Sequence, residues 1–318
     1  MRVLVFGGGA VGSGLSACMI EAGASVDIIA REKTCDLLNT EGLRKSGIRG
    51  EKTYPSEKLS AYSDISMIDH GQPYDYILVC TKSNDSYNAA SIIAGATAVY
   101  DETTAVVLCQ NGWGNREIFT TFFPTKQVYS ARVITGFCRH EPNHVEITVH
   151  VQPISLGSFN NADASCLEPL RAAIDCGGLS CEITDSIEKD LWAKMLFNCS
   201  LNPLGAVFGV PYGLLKESEH TLGIIHDVVH EVFGVINASG HSTHWDSPDE
   251  YYIFLKDTLI PGAASHESST LQDIKLHKKT EIEALTGQVV KLGDKFGIPV
   301  PVNRMLYRMV RFMESSTD

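Results

Sequence analysis

The sequence has too little positive charge to bind a phosphate backbone. Lys and Arg total 26 against 38 Asp and Glu, a formal net charge of -12 at pH 7. A protein that holds nucleic acid or an anionic membrane needs a basic stripe, so neither partner is expected. Long apolar runs are also absent. None approaches the ~18 residues that span a bilayer. The N-terminus passes straight from Met1-Arg2 into Val3-Leu4-Val5-Phe6 and is broken at once by glycine, too soon for a signal peptide. Nine cysteines are present, an odd number, and none forms a C-x-x-C pair. Free thiols in a reducing cytoplasm are therefore expected rather than a disulfide framework. There is no internal repeat and no low-complexity tract.

Metal chemistry has little support in the spacing. His226 and His230 lie four apart on an expected helix, as zinc ligands can, but the sequence offers them no obvious third ligand. His241 and His244 are in the same position. No metal is expected.

What remains is a soluble-type composition, 44% apolar and 20% charged, in a chain of 318 residues that suits two domains. The first half alternates short β-branched runs with helical stretches, the pattern of a parallel sheet with crossover helices. Expected strands are Arg2–Gly7, Ser25–Ala30, Tyr76–Cys80, Ala105–Cys109 and Val128–Val133. Val145–Val149 and Ile154–Leu156 are expected as antiparallel additions at one edge. Near Ser186 the pattern changes. Helices are expected over 187–201, 214–239, 249–259, 268–296 and 303–314. The expected domains are 1–185 and 186–318.

Gly7-Gly-Gly9-Ala10-Val11-Gly12 fits G-x-G-x-x-G, and it follows a strand and opens a helix. Gly7 permits the tight turn, Gly9 lets the backbone approach a pyrophosphate, and Gly12 lets helix and sheet pack closely. The helix N-terminus, beginning with Ala10 and Val11, then offers amide donors to the anion. This is a Rossmann fingerprint. The second strand ends at Ala30-Arg31 in place of the acid that binds a ribose diol. A guanidinium there suits the 2′-phosphate of NADP, which an acid would repel. Asp27 is not the missing acid, because it lies inside the strand. Lys82 and Asn111 follow the carboxyl ends of later strands, the edge where open α/β sheets bind ligands.

Lys194, Asn198 and Asn202 recur every four residues in Lys194-Met-Leu-Phe-Asn198-Cys-Ser-Leu-Asn202-Pro203 and so share a helix face. A cation and two amides among apolar neighbours need polar partners when buried, and a ligand can supply them.

This segment resembles the Lys-x-x-x-Asn-x-x-x-Asn-Pro signature of the ketopantoate reductases (2-dehydropantoate 2-reductases). Asn111-Gly112-x-Gly114, Ser269-Thr-Leu-Gln-Asp273-Ile, Glu281-Ile282 and Gly297-Ile-Pro-Val-Pro301-x-Asn303 follow in the matching order. The resemblance implies an NADP-binding Rossmann domain and an all-α C-terminal domain of the 6-phosphogluconate-dehydrogenase-like type. It also implies roles. Lys194 is the general acid. Asn111 holds substrate and nicotinamide, and Lys82 lies beside the cofactor. Asn198 and Asn202 line the substrate pocket. Ser269 binds the substrate carboxylate, and Glu281 receives a hydrogen bond from its distal hydroxyl, with Asp273 close enough to support this group. The implied partner is a small 2-oxo acid, and the C-terminal helices could support a homodimer. A related β-hydroxyacid or opine-type oxidoreductase and a non-catalytic NADP-binding sensor are the alternatives. The sensor would need none of Lys194, Asn198, Asn202, Ser269 and Glu281.

Ser269 and Glu281 pose a geometric problem. Twelve residues on a straight helix separate them by ~18 Å, too far for one small molecule. A break between them is expected.

Overall fold

Unbroken runs of apolar residues such as Val3-Leu-Val-Phe6, Tyr76-Ile-Leu-Val79 and Ala105-Val-Val-Leu108 are buried on both faces, as the central strands of a covered parallel sheet must be. The computed structural model describes residues 1–69 and 71–315. Its strands are β1 (Arg2–Phe6), β2 (Ser25–Ile29), β3 (Leu43–Gly47), β4 (Lys52–Tyr54), β5 (Leu59–Tyr62), β6 (Tyr76–Val79), β7 (Ala105–Leu108), β8 (Val128–Arg132), β9 (Gly136–Glu141), β10 (His144–Val149), β11 (Ile154–Gly157) and β12 (Cys181–Ile183). The helices among them are α1 (Ala10–Glu21), α2 (Glu32–Glu41), α3 (Ser86–Gly95), α4 (Asn115–Phe119) and α5 (Glu168–Cys176).

The main sheet runs β12-β11-β8-β7-β6-β1-β2-β5. From β5 to β8 all neighbours are parallel. This is the doubly wound dinucleotide-binding order, reversing between β1 and β6. β11 pairs antiparallel with β8, and β12 lies beyond it. Alternate side chains feed two cores. Val3, Val5, Val26, Ile28, Leu78 and Val107 pack on one face, and Leu4, Phe6, Ile77, Val79, Val106 and Leu108 on the other.

Val145–Val149 was expected at the edge of this sheet, and the structure corrects that. It forms β10 of a separate sheet ordered β4-β3-β10-β9. The partner strands β3 and β9 are partly polar, so their pattern is weak, and an apolar β10 looks from sequence alone like one more sheet edge. This second sheet packs on α1. A Cβ on Gly14 would collide with the Phe137 ring of β9, so glycine sets that spacing.

The remaining helices are α6 (Ile187–Phe208), α7 (Tyr212–Lys216), α8 (Glu219–Ala238), α9 (Pro248–Phe254), α10 (Ile260–Gly262), α11 (Ser269–Lys275), α12 (Thr286–Phe296) and α13 (Pro301–Ser315). The chain folds into two compact units. One comprises residues 1–110 and 115–187, the other 111–114 and 188–318. Within the helical unit α8 buries Val228, Val229, Val232, Phe233, Val235 and Ile236. Two expected helices are split. Ser218 caps the start of α8 and separates it from α7. The 268–296 stretch breaks after α11 and resumes at α12, with His277 at φ 51 in between.

The C-terminal Gly297–Asn303 signature has a structural explanation. Gly297 ends α12 in the left-handed conformation at φ 70. Asn303 is fully buried, and Glu231 of α8 accepts from the Val302 and Asn303 amides and the Asn303 side chain, at 2.8, 2.9 and 2.8 Å. A carboxylate thereby caps the N-terminus of α13.

Candidate active site

In the sheet unit, the carboxyl ends of β1 and β6 meet at the point where the strand order reverses. Gly7 has φ +120, and a Cβ there would press on the Thr81 amide and the Cys80 carbonyl carbon at 2.7 and 2.8 Å. A Cβ on Gly12 would strike the Gly7 carbonyl. Both glycines are demanded by the chain's own packing. Gly9 is different, because a Cβ there would meet nothing within 4 Å. Gly9 caps α1 without a side-chain hydrogen bond, ahead of Ala10 and Val11. The turn thus leaves room at Gly9 for a ligand to lie against the backbone.

Lys82 opens the turn after β6. Gln110, at the end of β7, holds that turn by donating its side-chain amide to Thr81 O at 3.1 Å, to Lys82 O at 3.4 Å and to Ser86 Oγ at 3.0 Å. Its Oε1 is buried without a partner among the described residues. Sequence reasoning passed over Gln110, whose position beside Asn111 was the available signal.

Arg31 stands exposed at the start of α2. Asp27 is buried in β2 and accepts from the Tyr74 hydroxyl, so it is committed to the core. A second arginine joins Arg31. Arg139 of β9 donates to the Gly8 carbonyl at 2.8 Å. Burial holds its guanidinium below the usual range, and the charge of Arg31 pushes the same way. Two cations beside one glycine turn favour an anion between them. Nothing in the sequence pointed to Arg139, which reaches the turn from the second sheet.

In the helical unit, α6 carries Lys194, Asn198 and Asn202 over a base of Trp192, Met195, Leu196, Cys199 and Leu201, all 1% exposed or less. Lys194 Nζ donates to Asn111 Oδ1 at 2.7 Å, and Asn111 Nδ2 donates to Glu281 Oε2 at 2.8 Å. The amide of Asn111 thus links an ammonium to a carboxylate, and both contacts agree on its orientation. Asn202 is 3% exposed and accepts from the Tyr212 hydroxyl at 2.7 Å, which fixes its amide. Asn198 is partly buried one turn away.

Asn111 is held by its neighbours. Trp113 stacks on Trp192 with centroids 4.4 Å apart, and its amide donates to Ala284 O at 2.9 Å. Gly112 has φ +89, and a Cβ there would collide with the Ala284 carbonyl. The Asn111-Gly112-x-Gly114 signature is therefore a clamp onto the segment that bears Glu281.

Ser269 is exposed in the first turn of α11, and Asp273 lies farther along that helix. Ser268, fully buried, is the capping residue. It accepts from Leu271 N at 3.0 Å and donates to the Asn202 carbonyl at 3.3 Å. The break after α11 removes the straight-helix separation between Ser269 and Glu281.

Known proteins share this architecture. The family model "Ketopantoate reductase PanE/ApbA" matches residues 3–161, and "Ketopantoate reductase PanE/ApbA C terminal" matches 186–314. A 2-dehydropantoate 2-reductase of Aquifex aeolicus (strain VF5) is 32% identical, covering 99% of this chain and 97% of its own. One from Archaeoglobus fulgidus is 29% identical, covering 99% and 98%. Among solved structures, a PanE/ApbA family ketopantoate reductase from Ralstonia eutropha JMP134 superimposes with a TM-score of 0.87 at 30% identity, over 100% of this chain and 99% of that one. A D-mandelate dehydrogenase solved with NADH and anilino(oxo)acetate reaches 0.89 at 21% identity, over 100% and 99%, a likeness of fold. With both models matched in order and full-length identity above three in ten, the chain belongs to the ketopantoate reductase family of oxidoreductases.

Proposed function

We propose that this protein reduces ketopantoate to pantoate with NADPH, and that the Lys194–Asn111–Glu281 chain performs the proton and substrate chemistry. The observation that carries the reading is the Asn111 amide joined to both charged groups at 2.7 and 2.8 Å. When bound, NADPH supplies a hydride to the ketone carbon. The ketone oxygen gains a negative charge, and the Lys194 ammonium stabilises it and gives up a proton to form the alcohol. An electrostatic donor of this kind is worth roughly 3–4 kcal/mol of barrier. Asn111 keeps the ammonium in place until substrate arrives. Asn198 and Asn202 line the substrate side of α6, Ser269 takes the carboxylate, and Glu281 accepts from the distal hydroxyl.

The cofactor fits the sheet unit. The pyrophosphate would lie over Gly9 and the first amides of α1 at Ala10 and Val11, with Gly7 and Gly12 shaping the turn. Arg31 and Arg139 would share the 2′-phosphate, and Lys82 would lie beside the cofactor. NADPH oxidation in the presence of ketopantoate and of other 2-oxo acids tests the assignment. Equal turnover of all of them would leave a general 2-oxo acid reductase.

The cytoplasm is the proposed compartment. All nine cysteines are free, and among the described residues no helix is long and apolar enough to cross a membrane. A homodimer is proposed through α13, which leaves Met305, Met309 and Phe312 on the surface at 50%, 41% and 71% exposure. Light scattering on the protein and on Phe312→Asp tests it, and a monomeric unmutated protein overturns it.

A further inference from the structure

His226 and His230 lie one turn apart on α8, which brings their rings to 4.2 Å between centroids. The ligand that the sequence did not reveal comes from the next helix. Asp249, in the first turn of α9, places Oδ1 3.4 Å from His226 Nε2 and 3.0 Å from His230 Nε2. One ligand atom from each residue lies within 4.8 Å of the other two. We propose that these three side chains form a binding site for a single Zn²⁺ ion, with water completing a tetrahedron.

The spacing suits that ion. Bonds of about 2.0–2.2 Å at tetrahedral angles put ligand atoms roughly 3.3–3.6 Å apart. The 3.4 Å contact to Asp249 falls in this range and the 3.0 Å contact just below it, so small side-chain rotations suffice. An outer carboxylate is also in place. His226 Nδ1 lies 3.6 Å from Asp227 Oδ1, close enough that a small rotation would let Nδ1 donate to it and turn the Nε2 lone pair to the ion. Metal-bound imidazoles commonly have such a partner. The Tyr252 ring, perpendicular to His226 with centroids 5.1 Å apart, further limits that side chain. Two imidazoles and one carboxylate select a borderline ion over Mg²⁺ or Ca²⁺, which prefer oxygen donors. Both rings keep about two-fifths of their surface, 41% and 40%, so an ion in solution has access.

None of the three residues belongs to the reductase machinery. The ion would instead tie α8 to α9 and stabilise the helical unit, because it binds an arrangement that the unfolded chain lacks.

The test is calorimetric titration of untagged, chelator-treated full-length protein with Zn²⁺, repeated with Mg²⁺, together with thermal melts. One Zn²⁺ per chain is expected, with a higher Tm and no response to Mg²⁺. Loss of an outer partner weakens metal sites by about 10–100-fold, and loss of a ligand should cost no less. His230→Ala and Asp249→Asn should therefore bind at least ~10-fold more weakly and lose the Tm increase, while keeping the unmutated circular dichroism and reductase rate. Absence of stoichiometric binding, or variants that bind as tightly as the unmutated protein, would overturn the proposal.

Discussion

The ammonium of Lys194 stands 2.7 Å from the side-chain oxygen of Asn111, a residue 83 positions earlier in the chain. This contact couples the proton donor to Asn111 and, through it, to Glu281. Lys194→Ala should lower kcat by roughly 10²-fold or more. NADPH binding, followed by fluorescence, should stay largely unchanged, because the residues proposed for its pyrophosphate and 2′-phosphate lie in the other unit. Normal turnover by the variant would assign the proton to another group. Asn111→Ala should lower kcat in the same direction while leaving the lysine present.

The Glu281 segment is pinned from below. Thr280 gives both its amide, at 2.7 Å, and its hydroxyl, at 2.6 Å, to Glu314 Oε1 on α13. Glu314→Ala would remove the acceptor of both bonds beside a buried residue, a cost of about 1–3 kcal/mol. KM for ketopantoate should rise several-fold with KM for NADPH unchanged, and Glu314→Gln should recover part of the loss. A variant that melts earlier but keeps both constants would limit Glu314 to a stabilising role.

Substrate choice should rest on Glu281. A 2-oxo acid without the distal hydroxyl, such as 2-oxoisovalerate, should have a kcat/KM at least ~10²-fold below that of ketopantoate, because it displaces water from the carboxylate without supplying the hydroxyl donor that ketopantoate brings. Glu281→Ala should lower activity on ketopantoate and narrow the gap. Comparable rates with the unmutated protein would show that Glu281 reads no hydroxyl.

The two arginines predict a graded cofactor effect. Arg31→Ala should raise KM for NADPH by tenfold or more, on the order of 1.4 kcal/mol, and leave NADH use nearly unchanged. Arg139→Ala should act in the same direction, and the double variant should approach equal use of both cofactors. If Arg139→Ala impaired both cofactors equally, its bond to the Gly8 carbonyl would be its main contribution.

The thiols should sort by burial. Cys18, Cys181 and Cys199 are each pushed up to about 12 by burial, so they stay protonated and unreactive at pH 8. Cys176 is exposed. Brief iodoacetamide treatment of the native protein followed by peptide mass analysis should label Cys176 and spare those three. Labelling of Cys199 in the folded protein would contradict its burial on the inner face of α6.

The parts legible in the sequence were those written in periodicity. The five apolar parallel strands, the glycine turn and the four-residue spacing of Lys194, Asn198 and Asn202 all come from local pattern. The break between Ser269 and Glu281 followed from helix length set against the resemblance, which puts both residues at one small molecule. Arg139 was hidden because β9 is half-polar and exposed toward its end, with no recognisable apolar period. Asp249 was hidden because a helix supplies two histidines from its own repeat, but the third group depends on which helix packs beside it. Gln110 and Asn111 are adjacent, and the structure assigns them to different units.

That last division limits how proteins of this design can be recombined. The fragment 188–318 carries Lys194 and Glu281, but Asn111 joins its unit only as part of the four-residue stretch 111–114. A chimera made by exchanging C-terminal halves between two relatives would inherit the acid from one parent and its amide partner from the other. A donor half would work in a new host only where the host's own 111–114 stretch could seat against it, as Trp113 does on Trp192 and Gly112 does beneath Ala284.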